Sequence, residues 1–385
     1  MSKTFRLQTL AAAVAAVACT NAWALDPQAI DVGGLTFTPT LNVSETYDDN
    51  IFETRDHEVS SWVTRTNPSF ELAAETAKMG HRLNYTINQD IFHSAHDADN
   101  ADHHLTGESV FAFDARNRLK LQAGYHKVED TEDTAAQGEN DKYETTNFGG
   151  VYSFGAETAR MQFDLGANHF TKRYSNGDGL NSDKEFDSLT LNAIGYYRVA
   201  PKTRLLAEVR HTDYDYKSAP LDSENMAYLV GAKWEATAKT TGTVKIGYEE
   251  KDFDNSAIKD RNSPMWEIGV AYQPRTYSTF TLDARRAFDE GDDGAETIRS
   301  QTFTAGWKHY WMERLYSNVT YTIGESKYEG TNRTDDRDIF GLGLTYEARR
   351  WLDIGVGYRY SKNDSDVRSE SFERNMYGIN ITASL

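Results

Sequence analysis

The sequence predicts an all-β chain: a transmembrane, antiparallel, up-and-down β-barrel of about eighteen strands, with short periplasmic turns and longer extracellular loops. Three observations predict it. Apolar and polar residues alternate with period two, short and long connections take turns between the alternating runs, and a secretory leader opens the chain. Successive side chains leave a strand on opposite faces, so period two marks one apolar face and one polar face. The runs approach the length of about ten residues that a tilted strand needs to cross a bilayer.

Residues 1–24 read as the leader and 25–385 as one barrel domain. Lys3 and Arg6 make a basic start, Leu10 to Cys19 an apolar run, and Ala22-Trp23-Ala24 a cleavage site. A rival cut before Cys19 would make a lipoprotein, but Ala16 suits that signal poorly. Cleavage at Ala24 removes the only Cys, and with it disulfides, Cys-based metal sites and thiol nucleophiles. The net charge of -18 argues against nucleic-acid binding. The mean hydropathy of -0.67 looks soluble. A barrel produces such a value, because only alternate residues meet lipid.

After a lead-in over Leu25–Gly34, the first strand runs from about Leu35 to Tyr47. Short connections are expected at Ala74–Gly80, Asp114–Asn117, Gly155–Ala159, Ala200–Lys202, Thr237–Lys239, Gln273–Arg275, Tyr310–Glu313 and Glu347–Arg350. Polar, mostly acidic connections lie between them, at Asp48–Ser61, His93–Asp102, Asp130–Lys142, Ser175–Glu185, Asp215–Glu224, Asp254–Ser263, Asp289–Glu296, Glu329–Asp336 and Lys362–Glu370. Asp, Asn, Ser and Gly supply the turn chemistry. The clearest strands close the chain. Leu352, Ile354, Val356, Tyr358 and Tyr360 alternate with Asp353, Gly355, Gly357, Arg359 and Ser361. Tyr377, Ile379, Ile381, Ala383 and Leu385 then alternate with Gly378, Asn380, Thr382 and Ser384.

A soluble sandwich would give the same alternation with its apolar face inward. The leader, the hairpin count and the aromatic positions favour the membrane. Trp234, Trp307, Trp311 and Trp351 fall near short turns, while Tyr47, Phe92, Tyr174, Tyr214, Phe253 and Tyr328 fall near long loops. Two interfacial girdles would need such positions.

Thr38-Pro39-Thr40-Leu41 leading to Tyr47-Asp48-Asp49-Asn50-Ile51-Phe52 resembles the opening of the second β-barrel porin family of Gram-negative outer membranes. Asn67-Pro68-Ser69-Phe70, Leu83-Asn84-Tyr85 and the His/Asp-rich stretch from His93 to His104 extend the likeness. The resemblance implies a porin of an exopolysaccharide or capsule system, working beside a periplasmic export or copolymerase apparatus. It implies no catalytic residue and no cofactor. Outer-membrane proteins usually finish on Phe, where this chain has Leu385, which still falls on the apolar face.

Other chemistry is weakly signalled. His93, His96, His103 and His104 with Asp97, Asp99 and Asp102 contain metal-ligand types. On a loop nothing fixes them to one face, and a solvated acidic loop is the preferred reading. Asp97-Ala98-Asp99-Asn100 starts like a calcium loop, but Ala101 and Asp102 stand where a ligand and Gly are required. The other acidic loops are a candidate for loose divalent-cation binding at the cell surface. Ser109, Ser188 and Ser317 lie on expected strands, and the sequence by itself places no His to serve any of them, so no enzyme is expected.

The inner wall is the expected working surface. Its predicted charges are Glu71, Arg82, Lys120, Glu208, Arg210, Lys245, Glu249, Glu267, Asp283, Arg285, Lys308 and Arg359. Rings of charge set preference in pores, although solvating a wide lumen is the plainer role. The expected partners are outer-membrane lipid and a polysaccharide substrate, with a general or solute-selective diffusion porin as the alternative and an adhesive surface barrel third. No connection looks long enough for a deep constriction loop.

Overall fold

The computed structural model describes residues 29–131, 138–237 and 239–384. The expected leader, Leu385 and the middle of the Asp130–Lys142 connection lie outside the described residues. A short lead-in strand, β1 (Ile30–Val32), pairs with the start of β2 (Leu35–Asp48). The wall continues through β3 (Ser61–Glu75), β4 (Met79–Phe92), β5 (Asn100–Ala112), β6 (Asn117–Asp130), β7 (Asp141–Phe154), β8 (Met161–Tyr174) and β9 (Phe186–Ala200). It then passes through β10 (Thr203–Tyr216), β11 (Ser223–Thr237), β12 (Thr240–Phe253), β13 (Arg261–Arg275) and β14 (Ser278–Glu290). The last strands are β15 (Thr297–Met312), β16 (Leu315–Glu329), β17 (Thr334–Arg349), β18 (Leu352–Ser365) and β19 (Phe372–Ser384).

Each strand pairs antiparallel with the next, and β19 pairs back onto β2 from Met376↔Asp48 to Ser384↔Thr40. The 19-stranded sheet is therefore a closed wall of β2 to β19 with β1 attached. Closure leaves no open edge, which a lipid-exposed sheet requires because the bilayer core offers no hydrogen bonds.

Short and long connections alternate as expected. The short ones occupy 76–78, 113–116, 155–160, 201–202, 276–277, 313–314 and 350–351, and Lys239 lies in the one before β12. Three fall later than the sequence reading places them. The ladder shifts between Tyr272 and Arg275, Tyr310 and Met312, and Glu347 and Arg349, where a bulge carries each strand onward. Gln273-Pro274 reads as a turn, yet a Pro at a bulge near a strand end removes little from the ladder.

The apolar set faces out. Leu41, Val43, Leu342, Leu344, Ile354, Val356, Ile379 and Ile381 are exposed across neighbouring strands. At the closing seam the register aligns Tyr358, Tyr377, Tyr47 and Trp62 into one outward ladder. Tyr358 and Tyr377 centroids lie 4.9 Å apart, and Tyr47 meets Trp62 edge-on at 5.5 Å. Trp311 and Trp351 are exposed near the short turns. Val356 is 51% exposed in the middle of this band. Val356→Arg should cost about 2–4 kcal/mol of folding free energy in lipid. The check is urea unfolding in vesicles, with Val356→Ile expected within about 0.5 kcal/mol of wild type.

The conduit wall and its mouth

The face opposite the apolar set is the inner one, because its side chains meet across the interior. Arg210 on β10 reaches Glu267 on β13 at 2.9 Å, and Lys251 on β12 reaches Glu290 on β14 at 2.7 Å. The twelve charges named from the sequence share the register face opposite the exposed apolar residues. Arg82 pairs with Glu71 at 3.4 Å, and Lys120 with Glu108 at 2.6 Å. Glu208 accepts from Arg210 at 2.6 Å and from Lys245 at 2.9 Å, and Lys245 also donates to Glu267 at 2.6 Å. These four make one network, with Glu208 only 3% exposed. Glu249 accepts the Phe288 backbone N–H at 2.7 Å. Arg285 pairs with Asp289 at 2.7 Å, and Asp283 shares its strand, β14. Lys308 lies over the Tyr316 ring at 4.0 Å, and Arg359 sits opposite Gly341 and Met376.

Between the charges the inner wall carries hydroxyl and amide rungs. Ser69 meets Thr86 at 2.9 Å, Asn67 donates to Asn88 at 2.7 Å, Thr190 meets Thr212 at 3.0 Å and Thr304 meets Thr322 at 2.8 Å. Asn42 donates to Thr382 at 2.7 Å across the closing seam.

The loop end departs from two expectations. Phe92, Tyr174, Tyr214, Phe253 and Tyr328 do not form an outward girdle. Each sits one position off the apolar face and turns inward. Proximity to a loop suggested the girdle, but strand parity decides the face. Phe186 is the hub of an inner aromatic group, 5.7 Å from Phe170, 5.9 Å from Tyr214 and 5.4 Å from Tyr216. Next to it, the Lys172 ammonium lies 4.6 Å from the Tyr143 ring and 4.9 Å from that of Tyr174.

The mouth is narrowed by strand ends rather than by one long constriction loop. Strands β13 and β14 pair only from Trp266↔Arg286 down to Arg275↔Ser278, while β14 and β15 stay paired up to Glu290↔Thr297. The β14–β15 end therefore leaves β13 and leans inward. Ala287 packs with Ala227, Leu229 and Met265, and Glu290 accepts from Tyr216 Oη at 2.6 Å. Beyond it, Asp292 meets Lys184 of the β8–β9 loop at 2.6 Å, with β9 to β14 between them along the wall. Arg333 of the β16–β17 loop bridges Asp293 at 2.9 Å and Glu370 at 3.2 Å, and Arg261 holds Glu296 at 2.6 Å. Burial alone would pull the Lys184 ammonium down, but Asp292, helped by Asp293 and Asp141, holds it above its ordinary 10.5. The raised lysine contributes fully below pH 10.5, and its side of the pair is given up as pH rises beyond that value.

The His/Asp stretch does not converge. Asp102, His103 and His104 belong to β5, which sends neighbouring side chains to opposite faces. His103 Nδ1 meets Tyr85 Oη at 2.8 Å outside, while His104 Nδ1 meets His126 Nδ1 at 2.9 Å inside. Among the described residues no group of three His, Cys, Asp or Glu side chains is placed to hold a metal.

Over residues 24–385 the sequence matches the family described as "Putative beta-barrel porin 2". The chain belongs to this porin family. Among solved structures, the porin resembles the outer-membrane protein OpdK of Pseudomonas aeruginosa, with TM-score 0.50 and 12% identity over 91% of this chain and 99% of that one. OccAB3 of Acinetobacter baumannii gives TM-score 0.50 and 12% identity over 92% and 100%. The FrpB iron transporter of Neisseria meningitidis (F5-1 variant) gives 0.50 and 12% over 89% of the porin and 65% of its own length, so the porin spans less than two thirds of that chain. At these identities the likeness is one of fold. No curated relative matches the sequence. The porin is an outer-membrane protein of the Gram-negative type. Sequence reasoning missed Glu108, Lys172, Lys184 and Lys251, whose roles depend on which strands face each other. A register count would have found Glu108 opposite Lys120's neighbourhood, but nothing local signals the leaning hairpin.

Proposed function

We propose that this porin is a passive conduit through which a newly made exopolysaccharide or capsular polysaccharide leaves the cell, delivered by a periplasmic export or copolymerase apparatus. The observation that carries this reading is the inner wall itself. Its rungs of Ser, Thr and Asn can replace water around sugar hydroxyls, and charges such as Glu208, Arg210, Lys245 and Glu267 largely neutralise one another. A hydroxyl-rich chain can exchange hydrogen bonds along such a wall without being trapped by one strong charge. The family resemblance supports the polymer as cargo, and energy for export would come from elsewhere. A diffusion porin is the second reading, favoured by the full-length fold likeness to OpdK, which has also been solved with vanillate.

The test is deletion of the gene followed by measurement of surface, secreted and periplasmic polysaccharide. Loss of surface polymer with periplasmic accumulation, restored by the intact gene, is the expected result. Unchanged polymer with slower uptake of small solutes would leave the diffusion porin.

A further inference from the structure

The β14–β15 tip is acidic: Asp293 and Glu296 turn to the guanidinium groups of Arg333 and Arg261, whereas Glu290 and Asp292 turn to ammonium groups on the other side of the mouth. Glu290 is held by Lys251 at 2.7 Å and by Tyr216 Oη at 2.6 Å, and Asp292 by Lys184 at 2.6 Å. The Lys251 side chain is only 1% exposed, and its ammonium lies 4.1 Å from the Tyr214 ring centre. Phe186 packs between Tyr214 and Phe170, and Lys172 lies over Tyr174. The wall from β7 to β12 thus offers ammonium groups set among flat aromatic rings, and the tip covers them with two carboxylates.

That combination has a chemical reading. An aromatic face packs against the C–H face of a sugar ring, and an ammonium beside it pairs with a carboxylate at short, charge-assisted distance. Neutral sugars need only the rings. A sugar acid needs both at once. Glu290 and Asp292 set two carboxylates against these ammonium groups, at 2.7 and 2.6 Å.

We propose that the wall patch of Lys172, Lys184 and Lys251 with Tyr174, Tyr214 and Tyr216 binds an acidic sugar polymer of the uronate class, and that the β14–β15 tip fills it as an internal stand-in until the polymer displaces it. This rests on the reading of the porin as a polysaccharide conduit. The tip is built for the position. Ala295 N–H closes the turn onto the Asp292 carbonyl at 2.9 Å, and Asp293 and Gly294 take the left-handed region at φ 51° and 78°. A Cβ at Gly291 would run into the Ala295 carbonyl oxygen, so only Gly permits this seating.

The experiment is single-channel recording of the purified full-length porin in planar bilayers, with oligogalacturonate and maltohexaose as probes. Wild type should show a low conductance. Glu290→Gln with Asp292→Asn should raise mean current roughly tenfold, the scale of losing charge-assisted pairs. Gly291→Ala should do the same with no charge altered, which covers the case of a double variant that does not fold. In the released porin, oligogalacturonate should block at roughly tenfold lower concentration than maltohexaose, and Lys251→Met should abolish that preference. Equal current in wild type and both released variants would overturn the stand-in, and equal block by the two sugars would overturn the acid-binding patch. The deletion assay separates this from export. Selective block with unchanged surface polymer removes the export reading alone, whereas lost surface polymer with equal block removes the patch alone.

Discussion

Arg374→Ala should destabilise the folded barrel by about 3–5 kcal/mol, the cost of stripping one partner from a buried ion pair. Arg374 lies on β19, where the wall closes. Its Nε reaches both carboxylate oxygens of Asp48 on β2, at 3.1 and 3.0 Å, and its Nη1 reaches Glu53 at 2.8 Å. Asp48 is 1% exposed and stands in the last rung of the β2–β19 ladder. Beside it, the Asn375 backbone N–H donates to Asp49 at 2.6 Å, so the same few residues also anchor the 49–60 loop. Without the guanidinium, Asp48 keeps the Asn50 N–H at 3.1 Å but loses its countercharge. Urea unfolding in detergent or vesicles measures the loss. Arg374→Lys should recover only part of it, since an ammonium cannot serve both oxygens and Glu53 in one plane. An unchanged midpoint for Arg374→Ala would mean that the seam is held by its backbone ladder alone.

Glu208→Ala should act on both stability and ion preference. Glu208 takes bonds from Arg210 and Lys245, and the remaining acid of the network, Glu267, cannot neutralise two cations. The buried surplus of positive charge should cost about 3 kcal/mol. It should also move the reversal potential toward anions in a salt gradient. Glu208→Ala with Lys245→Met should restore both, because the pair is then removed together, and the cycle of the four proteins gives the coupling directly. Additive effects with no recovery would show that the two side chains do not interact across β10 to β12.

What the sequence made legible follows from period two. The alternation at Leu352–Ser361 names the faces of β18 with no other knowledge, and the same parity placed Arg82, Lys120, Glu208 and Lys245 on the polar face. Parity also explains a failure. Nearness to loops suggests an outward place for Phe92 and Tyr214, although one residue more or less reverses the face of a side chain. The leaning of β14–β15 was illegible for another reason. Asp289 to Glu296 looks like any acidic loop, and its meaning comes from Lys184 and Lys251, which the chain brings there from distant strands. Likewise His103 and His104 look like a cluster until the strand through them sends one to each side.

The missing rungs between β13 and β14 above Trp266↔Arg286 decide what kind of work displacing the tip requires. Lifting a strand end from a complete wall would tear main-chain hydrogen bonds, a cost almost independent of the surrounding solution. Here those bonds to β13 are already absent at that level, so the tip is tied to the wall through the β15–β16 ladder, whose last rung is Thr297↔Glu329, and is held against the opposite wall largely by ion pairs. Attraction between charges weakens as mobile ions crowd round them, within about 8 Å at physiological ionic strength. The barrel thus joins two mechanical regimes in one sheet: a wall indifferent to the medium, and one hairpin end, hinged on β16, whose more exposed ion pairs answer to the ions outside the cell.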